Sequence, residues 1–133
     1  MAKTEIRGDQ IKDDSLTGDD VDESTLIFSV SGPKTSNYTI TEEDYCVVGD
    51  CNSGGVTLTL PVATSAMTGR IYVIKRLDSG NSGGGNVLTV SRNGKKIDAI
   101  ESDQSLANRD ALVFQCLGAS AGWILIGSYM VPL

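Results

Sequence analysis

Few residues in this chain could do chemistry. Histidine, the side chain that titrates nearest neutral pH and the commonest metal ligand, is absent. Imidazole-based triads and zinc centres therefore lose their usual member. Carboxylates do fall together at Glu42, Glu43 and Asp44, but three in succession in a turn read as solvated charge, whereas a glycosidase pair must face across a cleft. Cys46 and Cys51 flank Gly49-Asp50 at a spacing where a disulfide is sterically conceivable. With Cys116 as the one further thiol, a metal site is short of ligands. Three cysteines behind an N-terminus with no apolar leader read as reduced, buried or half-buried thiols. The expectation is a protein that is not an enzyme and that holds neither metal nor cofactor.

Other motifs dissolve on inspection. The run Gly80 to Gly85 lacks the Lys-Ser/Thr of a phosphate-binding loop and leads into a strand, so it reads as a flexible loop. Asp13, Ser15, Thr17 and Gly18 sit at calcium-loop offsets, but the twelfth position is Ser24 rather than a bidentate Glu. Arg7-Gly8-Asp9 belongs to an internal repeat, and the sequon Asn37-Tyr38-Thr39 matters only in a eukaryotic secretory pathway. Trp123, the only tryptophan, suits a core or interface anchor. A sugar platform is its alternative, so Tyr38, Tyr45 and Trp123 stand as candidate surface contacts for a ligand.

The elements that must position these residues divide into an arm and a domain. With 133 residues, one compact domain of about 100 residues fits after a leader. Residues 1–28 hold no aromatic before Phe28 and carry Asp9, Asp13, Asp14, Asp19, Asp20, Asp22 and Glu23. They also hold a tandem decapeptide, RGDQIKDDSL followed by TGDDVDESTL. Ile6, Ile11, Leu16, Val21 and Leu26 recur every five residues, which fits neither the helical period of 3.6 nor the strand period of 2. The reading is an extended attachment arm whose aliphatic residues dock on a partner, with a disordered acidic tail as the alternative. Fully extended, such an arm could reach roughly 80 Å. The formal charge of −6 and pI near 4.5 disfavour phosphate backbones and anionic lipid, so neither nucleic acid nor membrane is expected as a partner.

From residue 29 to 133 the pattern is all-β. Strands are expected at YTI (38–40), YCVV (45–48), GVTLTLP (55–61), RIYVIKR (70–76, central), VLTVS (87–91) and KKIDAI, with ALVFQCLG (111–118) and GWILIGSY (122–129) as a closing hairpin. Asn93-Gly94 reads as a two-residue hairpin turn. ATSAMTG (63–69) and SLANRD (105–110) could each hold a helical turn. The fold expected is a single antiparallel β-sandwich of jelly-roll type.

YTITEEDYCVV, GGVTLTLPVA, GRIYVIKRLDSG, NVLTVSRNGKKIDAI and the terminal GWILIGSY together resemble a β-domain of bacteriophage tail fibres, over roughly residues 37 to 129. The stretch IRGDQIKDDSLTGDD likewise resembles attachment segments of phage fibre proteins. The resemblance implies a homotrimeric virion protein, made in the host cytoplasm and fixed to other virion proteins by its N-terminal part. Tail fibres typically continue into a shaft and receptor-binding tip, whereas this chain stops at Leu133. Capsid decoration is therefore the alternative to a tail location, and a free-standing glycan-binding module is the third reading.

Overall fold

The computed structural model describes residues 27–78, 85–107 and 109–130. The arm positions Ile6, Ile11, Leu16, Val21 and Leu26, the decapeptide repeat and the calcium-like offsets lie outside them.

The described residues form an all-β structure of two packed mixed sheets. One has the order β1 (Val30–Lys34), β3 (Cys46–Gly49), β5 (Ile71–Arg76), β8 (Ala111–Gly118), β9 (Gly122–Tyr129). The other has the order β2 (Tyr38–Thr39), β4 (Val56–Thr59), β6 (Leu88–Ser91), β7 (Gln104–Leu106). RIYVIKR supplies the middle strand of the larger sheet, as its alternation suggests. Ser65–Met67 forms a single 3-10 turn within ATSAMTG. Within SLANRD, Ser105 and Leu106 belong to β7, which pairs with β6, and Asp110 N donates to Ala107 O at 2.8 Å beyond it.

Inward positions follow the period of two along each strand. Val47, Tyr72, Ile74, Leu112, Phe114 and Trp123 from the larger sheet meet Val56, Leu58, Leu88, Val90 and Leu106 from the smaller, all buried. The expectation of an antiparallel sandwich is corrected at this point. β1 with β3, β3 with β5, β2 with β4, and β4 with β6 all pair in parallel, and only β5–β8, β6–β7 and β8–β9 are antiparallel. Up to β6 the chain crosses to the opposite sheet after every strand, so it returns to each sheet running in its earlier direction. Parallel pairing needs a crossover, and here a strand of the facing sheet provides it in place of a helix. Alternation along a strand reports which face is buried, and that signal is the same for both pairing directions.

Asn93-Gly94 is also not the turn of a hairpin. Both residues have left-handed backbones, with φ of 52° and 77°, and Lys95 N donates to Arg92 O at 3.1 Å. Yet β6 pairs with β7, and Ile97 of KKIDAI makes only isolated bridges, to Ile100 and Trp123. A second tight turn follows, in which Ile97 and Ile100 exchange backbone hydrogen bonds of 3.0 and 2.8 Å around Asp98 and Ala99, at φ of 50° and 64°.

A charged pair sits inside the apolar core. The Arg76 and Asp78 side chains are each 1% exposed and form an ion pair at 2.7 Å. Arg76 Nη1 donates to Leu106 O at 2.9 Å and Nη2 to Asn86 O at 3.0 Å, while Asp78 accepts from Cys51 N at 2.8 Å. Four segments from both sheets are thereby tied at one buried point, and the neighbouring carboxylate holds the Arg76 guanidinium above its ordinary pKa despite burial.

Candidate functional site

The larger sheet has a second apolar face. Register across it lines up outward-pointing residues in rows, since partners opposite each other share a face. One row runs through all five strands as Val30, Cys46, Val73, Val113 and Gly127. Beside it lie Ile71, Gln115 and Ile124 on one flank, and Val48, Lys75, Ala111 and Tyr129 on the other. Lys75 carries the one charge in these rows. Its ammonium donates to the carbonyl of Arg109 and stands 5.7 Å from the Tyr129 ring centroid.

The outer face of the smaller sheet is chemically opposite. Its two rows read Thr39, Thr59, Ser91 and Thr57, Thr89, Ser105. Every position is a hydroxyl, as expected of a strand face turned to water. In the larger sheet both faces are largely apolar, which is the pattern of a sheet covered on both sides. At ordinary strand and residue spacings the uncovered rows span roughly 400 Å² in plan, a size at which exposed apolar patches mark interaction sites.

The edges of the sheets differ in the same sense. β1 carries Pro33 and Lys34, which blunt strand pairing, and β2 and β7 have only 2 and 3 residues. β9, with 8 residues reading GWILIGSY, has neither proline nor charge. Ile126, Tyr129 and Met130 are exposed along or just beyond it.

At the end of the larger sheet where β3 and β5 begin lies a hollow of about 490 Å³, lined by Phe28, Glu43, Tyr45, Arg70 and Ile71 among others. The Phe28 and Tyr45 rings stack with centroids 4.5 Å apart. Its wall is held by Asp44, which accepts hydrogen bonds from the Ser31 hydroxyl, Tyr38 OH at 3.0 Å, Thr41 N at 2.8 Å and Thr41 Oγ1 at 3.2 Å. Burial pushes this carboxyl up, but the four donors outweigh it and leave Asp44 below the ordinary aspartate range. The Tyr38 hydroxyl is raised by its bond to Asp44. Arg70 Nη2 donates to Asp44 O at 3.0 Å and Tyr72 OH to Thr41 O at 2.9 Å, so the cluster ties the starts of β3 and β5 to β1 and β2.

These positions sort the candidate residues. Glu42 and Glu43 are exposed, in keeping with solvated charge. Asp44 is 4% exposed and structural, which corrects its reading as part of a solvated cluster. Tyr45 lines the hollow, and Tyr38 is half-buried with the Lys34 ammonium 3.7 Å from its ring centroid. Trp123 is fully buried against Tyr72, ring centroids 5.6 Å apart, so as a surface contact it is corrected: alternation turns the residue after Gly122 inward. Cys46 lies on the outer apolar face, whereas Cys51 and Cys116 are buried, and all three are free thiols. Burial pushes the Cys46 and Cys51 thiols up.

Sequence reasoning missed two features. The two-sided apolar character of the larger sheet was written in RIYVIKR, where Ile71 and Val73 alternate with Tyr72 and Ile74. The buried clasp had a signal in the Arg76-Leu77-Asp78 spacing, which puts opposite charges two residues apart on one side of an extended chain.

The chain matches no family model and no curated protein.

Proposed function

We propose that this protein is a non-enzymatic bacteriophage virion subunit of the tail-fibre type, a homotrimer fastened to the particle by residues 1–28. The virion reading rests on the sequence resemblance, and one observation supports the assembly: the outer face of the five-stranded sheet is largely apolar where that of the four-stranded sheet is all hydroxyl. Three such faces turned to a common axis remove from water a surface that a lone chain leaves wet. Each Å² of apolar accessible area so removed contributes about 25 cal/mol, set against the costs of association. The unblunted β9 edge adjoins the same face and is protected by the same assembly. The leader then supplies the fastening, with Ile6, Ile11, Leu16, Val21 and Leu26 as its apolar contacts on another virion protein, and the two-sheet β-block is the part displayed.

Sedimentation equilibrium of the purified chain tests this. The wild type is expected at three times the chain mass, and V73D/V113D at the monomer mass with its β-sheet circular dichroism retained. A monomeric wild type at micromolar concentration would refute the trimer. The attachment half is tested separately: changing Ile11, Leu16 and Val21 together to Asp should strip the protein from particles, and unchanged occupancy would refute it.

The hollow beside Tyr45 favours glycan binding as a second reading, since stacked rings beside Arg70 and Glu43 can meet both faces and hydroxyls of a sugar. A glycan array without hits would remove it.

A further inference from the structure

We propose that Asn93 is a site of spontaneous deamidation, held closed in the folded protein by the backbone carbonyl of Leu60. Asn93 is the only asparagine in the chain followed by glycine. A neighbour without a side chain leaves its backbone nitrogen unshielded, and a Cβ built on Gly94 would meet nothing within 4 Å. Asn37, Asn52 and Asn86 are followed by Tyr38, Ser53 and Val87, whose side chains crowd the same approach. Both turn residues are exposed.

The reaction needs only the chain and water. The Gly94 nitrogen loses its proton and attacks the side-chain carbonyl carbon of Asn93, forming a new C–N bond. The bond from that carbon to the side-chain nitrogen breaks, and ammonia leaves. Water then opens the five-membered imide at either carbonyl, giving aspartate or isoaspartate at position 93.

The fold opposes the first step. Asn93 Nδ2 donates to Leu60 O at 3.1 Å, which fixes the side-chain amide against the end of β4. Cyclisation must break that bond, and a neutral hydrogen bond of ordinary strength slows the step roughly tenfold. The product in turn opposes the fold. A carboxylate at position 93 has no proton for Leu60 O and sets oxygen against oxygen, with Asp103, which accepts from Arg92 N at 2.9 Å, as a second carboxylate beside the turn. Isoaspartate also lengthens the main chain inside the turn closed by Arg92 and Lys95. Beyond the turn, Lys95 Nζ donates to Ala119 O at 2.8 Å and Lys96 O accepts from Trp123 N at 2.9 Å, so the strain passes to the start of β9.

The experiment incubates the full chain at mildly alkaline pH, folded in buffer and unfolded in guanidinium. Modification is followed by peptide mass spectrometry and by methylation with an isoaspartate-specific methyltransferase. Asn93 is expected to be the first asparagine modified in the unfolded chain, and to react there roughly tenfold or more faster than in the folded protein. Another asparagine reacting first would overturn the assignment of the site. Equal rates in both states would overturn the hold by Leu60. The variant N93D should melt below the wild type by several degrees, and an unchanged melting temperature would overturn the stated consequence.

Discussion

Replacing Arg76 with Met keeps the unbranched stem and removes the guanidinium. The variant takes the guanidinium at 2.7 Å from the Asp78 carboxylate, 1% exposed, and the donor from the carbonyls of Leu106 and Asn86. Breaking a buried pair from one side costs about 3–5 kcal/mol, because the remaining charge has been stripped of water. Against a total stability of roughly 5–15 kcal/mol, that is a large fraction. For a domain near 100 residues it corresponds to a fall in melting temperature of roughly 15–30 °C. Differential scanning calorimetry at pH 7 measures it, with R76K as a control that restores charge but not the planar fork. The double variant R76M/D78N should melt above R76M, since it removes a buried charge that no longer faces the guanidinium. If R76M melts within a few degrees of the wild type, or R76M/D78N melts below R76M, the clasp does not hold the sheets in the manner argued.

Ala99 sits at φ of 64° in an exposed turn, so A99G should raise stability by about 0.5–1 kcal/mol, read as a higher denaturant midpoint, despite the entropy glycine adds to the unfolded chain. Asp44 titrates below its ordinary value of 3.8. Its contribution is therefore full above that value and fades as pH falls through the lower folded-state pKa. Urea midpoints measured from pH 7 down to 3 should drop at the acid end in the wild type, and D44N should show a flatter profile from a lower plateau. A maleimide should label Cys46 before Cys51 and Cys116, which react only on unfolding. Labelling of Cys46 should be faster in V73D/V113D than in the wild type, and equal rates would count against burial of that face between copies.

How far the fold could be read in advance varied with the kind of signal. Strand positions were legible because alternation at Val56, Leu58 and Leu60, or Tyr72 and Ile74, is a local consequence of one buried face. The closing hairpin was legible because β8 and β9 flank a short small-residue turn. Pairing direction was not, since Val47 opposite Ile74 and Ile74 opposite Leu112 demand the same apolar residues although one pair is parallel and the other antiparallel. Asn93-Gly94 announced a turn correctly but not its setting, because a two-residue turn only makes a hairpin when the following strand has a free edge beside it. The partner of β6 arrives later, at Gln104. Of the candidate contacts, Tyr45 stands where a ligand could reach it, while Trp123 followed the logic of its strand inward. The aliphatic outer face was present in the sequence but scattered over five segments, and only register gathers Val30, Cys46, Val73 and Val113 into one row.

The alternation of β1 to β6 between layers has a consequence for how the molecule can be divided or enlarged. Neither layer is an unbroken stretch of polypeptide, so no single proteolytic cut or terminal truncation can release one layer from the other. A fragment ending after β4 would own two strands of each, with β3 and β4 lacking their later neighbours β5 and β6. Growth obeys the same arithmetic: a duplicated segment carrying one strand for each layer extends both by a full circuit, whereas a lone inserted strand would send everything downstream to the wrong side.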